Sequence, residues 1–279
     1  MKLRLFHHHD GARIAYREAG TGPGLVLLHS AGLTHRELEP VVEHLTHRFR
    51  LLLPDLPLHG DSEDRPRYPY SPAWFAEVLS AFCWETCGPR PLVGGHDLGA
   101  EVLLHAVTTR RMTPERLVLL PNRLDGPATD DRSSTAWRIA TRAGGLPGLD
   151  RLLSHGARLR HRPETGMRLT ARGNPGARDL VRHAYADVGG NANLARSWAR
   201  FARRWPADAW PALRADLPLL DLPTLLLWAD EDRRHPLETA ESVLDLLPQG
   251  QLRVLPGTGY LLAYDDPVGV ARELLAFCG

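Results

Sequence analysis

The sequence predicts an α/β chain built on a mostly parallel central sheet, with helices on both faces and a helical segment inserted late. Three observations carry this. Short apolar runs alternate with helical stretches at both ends of the chain, the pattern of strand–helix–strand units. Gly95-His96-Asp97-Leu98-Gly99 follows one such run and opens a helix, the form of a strand-to-helix elbow that holds its middle side chain clear of the sheet. Residues from about 124 to 213 hold no buried-strand pattern and are rich in Arg, Ala and Leu, with Gly and Pro breaks. The expected division is a core of residues 1–123 and 214–279 and a helical cap of residues 124–213.

Each element follows in order. The apolar start of the chain and His7-His8-His9 read as an N-terminal strand, and residues 11–18 as a second. Strand alternation would place His7 and His9 on one face. Leu25 to His29 is a short apolar run after a Gly-Pro-Gly break, which suits a buried strand. Thr34-His35-Arg36-Glu37 has the form of a capping box and predicts a helix to about Thr46. Arg50 to Pro54 is the next strand, and Ser71-Pro72 starts a helix through about Cys83. Pro91 to Gly94 feeds the elbow, a helix runs from about Leu98 to Arg110, and Leu117 to Leu120 is another strand. After the insertion come a strand over Thr224 to Trp228, a helix over Leu237 to Leu247, a strand over Leu252 to Leu255, and a last helix capped by Asp266-Pro267.

Composition narrows the function classes. A chain of 279 residues suits one large α/β domain. Net charge is +1, so no global charge favours nucleic acid or an anionic membrane surface. No apolar run approaches the roughly 18–20 residues that cross a bilayer, and the first residues lack the apolar stretch of a signal peptide. A cytoplasmic location is expected. Three cysteines form no disulfide framework. His7 and His9 could bind a metal adventitiously, but no acidic or Cys ligand is expected to join them, so no metal is expected, and no cofactor either. The sequence carries no signal of oligomeric state.

Four segments in order resemble the α/β-hydrolase superfamily across the whole chain. His29-Ser30-Ala31-Gly32 is similar to its oxyanion-hole turn. Asp55 to Ser62 resembles the loop after the next strand. Gly95 to Gly99 is the elbow, and Trp228-Ala229-Asp230-Glu231-Asp232 resembles the loop that presents the acid member. An Asp at position 97 resembles the branch of epoxide hydrolases and haloalkane dehalogenases. The resemblance implies a carboxylate that attacks an sp3 carbon and forms an alkyl-enzyme ester, which an imidazole-activated water then cleaves. A carboxylate is already ionised at neutral pH and needs no base for the first displacement. The resemblance places the oxyanion hole in backbone N–H groups near Ser30 and Leu98. Leu98 stands where dehalogenases carry a halide-binding Trp, which disfavours dehalogenation. Epoxide hydrolases carry two tyrosines in the cap; here it offers Tyr185, with Tyr68 and Tyr70 as further candidates. His29, His96, Tyr185 and Trp137 are expected to line the pocket of a small-molecule substrate.

The family's base follows the last strand, where this chain has Tyr260 in Pro256-Gly257-Thr258-Gly259-Tyr260. A tyrosine is a poor base at pH 7 and a competent proton donor. Three readings follow. In the first, another histidine supplies the base, and His235, three residues after Asp232, is the best substitute. In the second, Asp97 and Tyr260 exchange protons with a substrate in a non-hydrolytic cyclase, isomerase or lyase reaction. In the third, the scaffold binds a small molecule without chemistry. Asp232 is the preferred acid, with Asp125 as the alternative.

Overall fold

The computed structural model describes residues 1–65, 67–123, 164–185, 192–205 and 209–279. Its centre is one eight-stranded sheet, β1 (Lys2–His7), β2 (Arg13–Ala19), β3 (Gly24–Leu28), β4 (Arg50–Pro54), β5 (Leu92–Gly95), β6 (Arg116–Leu119), β7 (Thr224–Ala229) and β8 (Gly250–Leu255). The spatial order is β1-β2-β4-β3-β5-β6-β7-β8. β1 and β2 pair antiparallel, as do β2 and β4, and every later pair is parallel.

Central strands here are nearly continuous apolar runs because both faces are covered. Alternation then divides them between two layers. Val26, Leu28, Leu52, Val93, Leu117, Leu119 and Trp228 pack with α2 (Pro72–Cys87) and α3 (Leu98–Thr108). Leu25, Leu27, Leu51, Leu53, Val118 and Leu227 pack on the other face, with Leu45 of α1 (Val42–Leu45). Among the described residues, the segment between β6 and β7 forms α4 (Glu164–Met167), α5 (Pro175–Tyr185), α6 (Ala192–Arg204) and α7 (Ala209–Asp216). Beyond β7 come α8 (Leu237–Leu244), α9 (Leu262–Asp265) and α10 (Pro267–Cys278), and α10 also packs on the second face through Val270, Leu274 and Phe277.

Two local expectations differ in detail. β1 ends at His7, so His8 and His9 fall in the turn after it, although His7 and His9 are both exposed and His8 is buried, as alternation predicts. The helix expected from Thr34 starts as a 3-10 turn over His35–Val41 with Pro40 inside it, and only Val42–Leu45 is α-helical. Proline cannot donate the helical bond. Glu37 does not close a capping box, because its carboxylate is drawn inward to Ser30 and His96.

The sheet's parallel part directs the turns after β3, β5, β7 and β8 to one edge. Ligands of open α/β sheets bind outside these carboxyl ends.

Candidate active site

Asp97 sits between β5 and α3 with φ 46° and ψ −110°, a left-handed φ that non-glycine residues seldom adopt. Its neighbours make the turn possible. A Cβ on Gly95 would lie 2.5 Å from the carbonyl carbon of Gly99, and one on Gly99 would lie 2.7 Å from the carbonyl oxygen of Leu28. Strand and helix can approach this closely only with glycine at both places. Asp97 is the N-cap of α3, so its carboxylate stands at the positive end of the helix dipole. Leu98 is the first residue of α3, and its amide has no partner within the helix.

The two carboxylate oxygens of Asp97 have different surroundings. Oδ2 accepts from the Ala31 amide at 3.3 Å and from the Tyr260 hydroxyl at 3.4 Å. Oδ1 lies 3.8 Å from Nε2 of His235, beyond hydrogen-bond length and close enough for both groups to share one water. Nδ1 of His235 is 2.8 Å from Oδ2 of Asp232, which orients the ring so that Nε2 faces Asp97. The loop is itself fixed. The Arg234 amide donates to Asp232 Oδ1 at 2.8 Å, and the indole of the buried Trp228 donates to the His235 carbonyl at 2.9 Å.

Charge follows this geometry. Burial alone would raise the Asp97 carboxyl, but His235, His96, Arg123 and the Ala31 amide outweigh it and hold the group below the usual range. Burial and the negative charge of Asp97 push the Tyr260 hydroxyl well above its ordinary value, so Tyr260 stays a proton donor. Burial disfavours the charged form of His96, yet the Glu37 carboxylate reverses this and raises it.

Several sequence expectations change place. The Ser30 amide is taken by Glu37 Oε2 at 2.7 Å, and the Ser30 hydroxyl donates to the same oxygen at 2.8 Å. The amide that faces Asp97 therefore comes from Ala31, one residue later. His29 is spent on structure. Its Nδ1 lies 2.8 Å from the Ser30 carbonyl and its Nε2 accepts from Leu56 at 2.9 Å. His96 is buried against Glu37 through Nδ1, with its ring 4.5 Å from that of Tyr260. Tyr68 donates to Glu63 at 2.6 Å, which spends its proton, and Tyr70 accepts from the Arg65 amide at 3.0 Å and is fully buried against Trp74 and Phe75. Tyr185 closes α5, but its side chain lies outside the described residues, as do Trp137 and Asp125 entirely.

Three further groups gather here. Glu37 was concealed by its capping-box spacing. Arg123 follows β6 and adds positive charge beside Asp97. Glu101 is an acid within the otherwise apolar start of α3, Leu98-Gly99-Ala100-Glu101-Val102-Leu103, and that contrast was its available signal. Away from the site, the structure brings Glu77 of α2 beside His8 and His9, with their ligand atoms within 4.8 Å of one another. The expectation that no acid accompanies these histidines is thus corrected by a long-range contact.

Known proteins extend the picture. The chain is 30% identical over 210 residues to a pimeloyl-[acyl-carrier protein] methyl ester esterase of Aeromonas salmonicida, covering 74% of this chain and 71% of that one. It is 32% identical over 127 residues to a soluble epoxide hydrolase of a Corynebacterium species, 43% of each chain. An α/β-hydrolase-fold protein from Burkholderia ambifaria superposes with a TM-score of 0.81 at 22% identity, over 98% of this chain and 97% of that one. The profile of the alpha/beta hydrolase family matches residues 25–273, and with this sheet and elbow the chain belongs to that family.

Proposed function

We propose that the protein hydrolyses a small organic epoxide in two steps, through an alkyl ester on Asp97. One observation carries the reading. An imidazole oriented by a carboxylate stands 3.8 Å from the Asp97 carboxylate, although position 260 holds no histidine. In the first step Asp97 Oδ1 attacks an epoxide carbon. In the second, His235 takes a proton from water as the water attacks Cγ, and Asp232 stabilises the imidazolium. Negative charge then develops on Oδ2, where the amides of Ala31 and Leu98 and the Tyr260 hydroxyl receive it. The helices between β6 and β7 serve as a cap over the site, and no cofactor takes part.

An Asp nucleophile favours an sp3 carbon over an ester carbonyl. Attack on an ester would give an anhydride, a costly intermediate that the esterase similarity does not require. The non-hydrolytic reading gains most where only Tyr260 and backbone donors face Asp97, and the approach of His235 supports the hydrolytic one instead.

The test uses intact-protein mass after exposure to styrene oxide. His235→Gln is expected to accumulate an adduct of one epoxide, with its hydrolysis slowed by about 10³-fold. Asp97→Asn is expected to form none. Turnover by His235→Gln at the wild-type rate, or an adduct on Asp97→Asn, would overturn the proposal.

A further inference from the structure

The first step leaves one requirement open. Ring opening places negative charge on the epoxide oxygen, and that oxygen needs a proton. Tyr260 donates to Oδ2 of Asp97, Tyr68 donates to Glu63, and Tyr70 lies fully buried against Trp74 and Phe75 with the Arg65 amide on its oxygen. We infer that Glu101 is the general acid of this step, with its carboxyl delivering a proton to the opening oxygen. The inference rests on the epoxide reading above.

Three features of the structure support it. Glu101 lies one helical turn after Asp97, and its amide donates to the Asp97 carbonyl at 3.0 Å. Side chains of a helix slant toward its N-terminus and cover the preceding turn, so this carboxyl reaches back over the elbow. Second, Glu101 is buried, and its Oε2 accepts from the indole of Trp205 at 2.8 Å. Trp205 follows α6 and is wedged between Phe75 and Phe201. The acceptor oxygen is thereby fixed, which leaves Oε1 to carry a proton. Third, the charges around the group sort the protons. Burial and the negative charge of Asp97 push Glu101 up to about 8, against the smaller opposing effects of Trp205 and Arg123. Asp97 moves the other way. Two carboxyls one turn apart are thus driven to opposite protonation states, the arrangement that gives one the role of base or nucleophile and the other that of acid.

The protons balance through a cycle. As the Asp97 Oδ1–carbon bond forms, the carbon–oxygen bond of the epoxide breaks, and its electron pair takes the proton from Glu101. Water then attacks Cγ and gives one proton to His235, which passes it to the departing alcohol. Asp97 emerges protonated, and its proton returns to the ionised Glu101. The net change is addition of one water.

The experiment compares two alkylating probes in the His235→Gln background, where the adduct persists. Styrene oxide needs a proton on its leaving oxygen, and benzyl bromide releases bromide, which needs none. Glu101→Gln is expected to slow alkylation by the epoxide about 10²-fold and alkylation by the bromide less than about threefold, which also shows that the elbow is folded. Epoxide alkylation with Glu101 present should fall above about pH 8 and be flat in Glu101→Gln. Trp205→Phe removes a donor that favours ionisation, so it should move that fall to higher pH. Equal loss with both probes, or an unchanged pH profile, overturns the role of Glu101. Absence of any adduct on Asp97 with Glu101 intact would instead defeat the epoxide reading itself.

Discussion

The turns after β7 and β8 flank the same carboxylate and bring it different chemistry. The β7 turn carries Asp232 and His235, an oriented acid–imidazole pair whose Nε2 faces Oδ1 of Asp97. The β8 turn carries Tyr260, a hydroxyl held well above its ordinary pKa by burial and by Asp97, which faces Oδ2. The resemblance to related enzymes expects the imidazole on the second turn. Under the proposed mechanism, a base is defined by its position relative to Asp97, and more than one turn at this sheet edge can supply that position. The rings of His235 and Tyr260 stack with centroids 5.6 Å apart, so the two turns address Asp97 as neighbours.

The comparison can be broken by returning the imidazole to the second turn. In His235→Gln, the added change Tyr260→His is expected to restore at least about tenfold of the lost ester hydrolysis, read as the decay of the adduct mass. No recovery would mean that only the β7 turn can deliver water to Cγ. A smaller effect isolates the hydroxyl. Tyr260→Phe keeps the ring against His96 and His235 and removes one donor to Oδ2. It should slow adduct hydrolysis by roughly 10–100-fold, at or below the usual cost of losing an oxyanion donor, and leave adduct formation within a few-fold. Slower formation with unchanged hydrolysis would reassign Tyr260 to the first step.

The smallest effect concerns stability in acid. His59 accepts from the Gly32 amide at 3.0 Å, beside the turn that carries Ala31. Burial, with the neighbouring His29, lowers it to about 3. The folded state therefore binds fewer protons than the unfolded state between about pH 6.5 and 3. Its contribution is present above pH 6.5 and is lost as pH falls through that window. Denaturation midpoints measured across the window should fall less steeply in His59→Gln than in the wild type. Equal slopes would place the acid sensitivity elsewhere.

Much of this was legible in the sequence, for local reasons. Strands β3 to β7 read as apolar runs because the sheet buries both their faces, and the elbow read from its glycines because their side chains would strike backbone. Asp232 and His235 read from the turn after β7. Contacts between distant segments were less accessible. The T-x-x-E spacing at Thr34 suggested a helix cap, yet Glu37 serves Ser30 and His96, the latter 59 residues away. That the Ala31 amide, and not that of Ser30, faces Asp97 has the same cause. Glu77 beside His8 and His9 depends on α2 crossing the first hairpin, which no local pattern encodes.

The unequal surroundings of the two Asp97 oxygens have a further consequence under the proposed mechanism. The alcohol departs with the oxygen that attacked carbon, and a solvent oxygen takes its place beside His235. Ala31 and Tyr260 pin the other oxygen, which resists rotation of the carboxylate. Each product molecule then carries an atom that entered the protein one turnover earlier. The enzyme would keep a memory of its solvent one cycle long, and isotopically labelled water would first appear in the product of the second turnover.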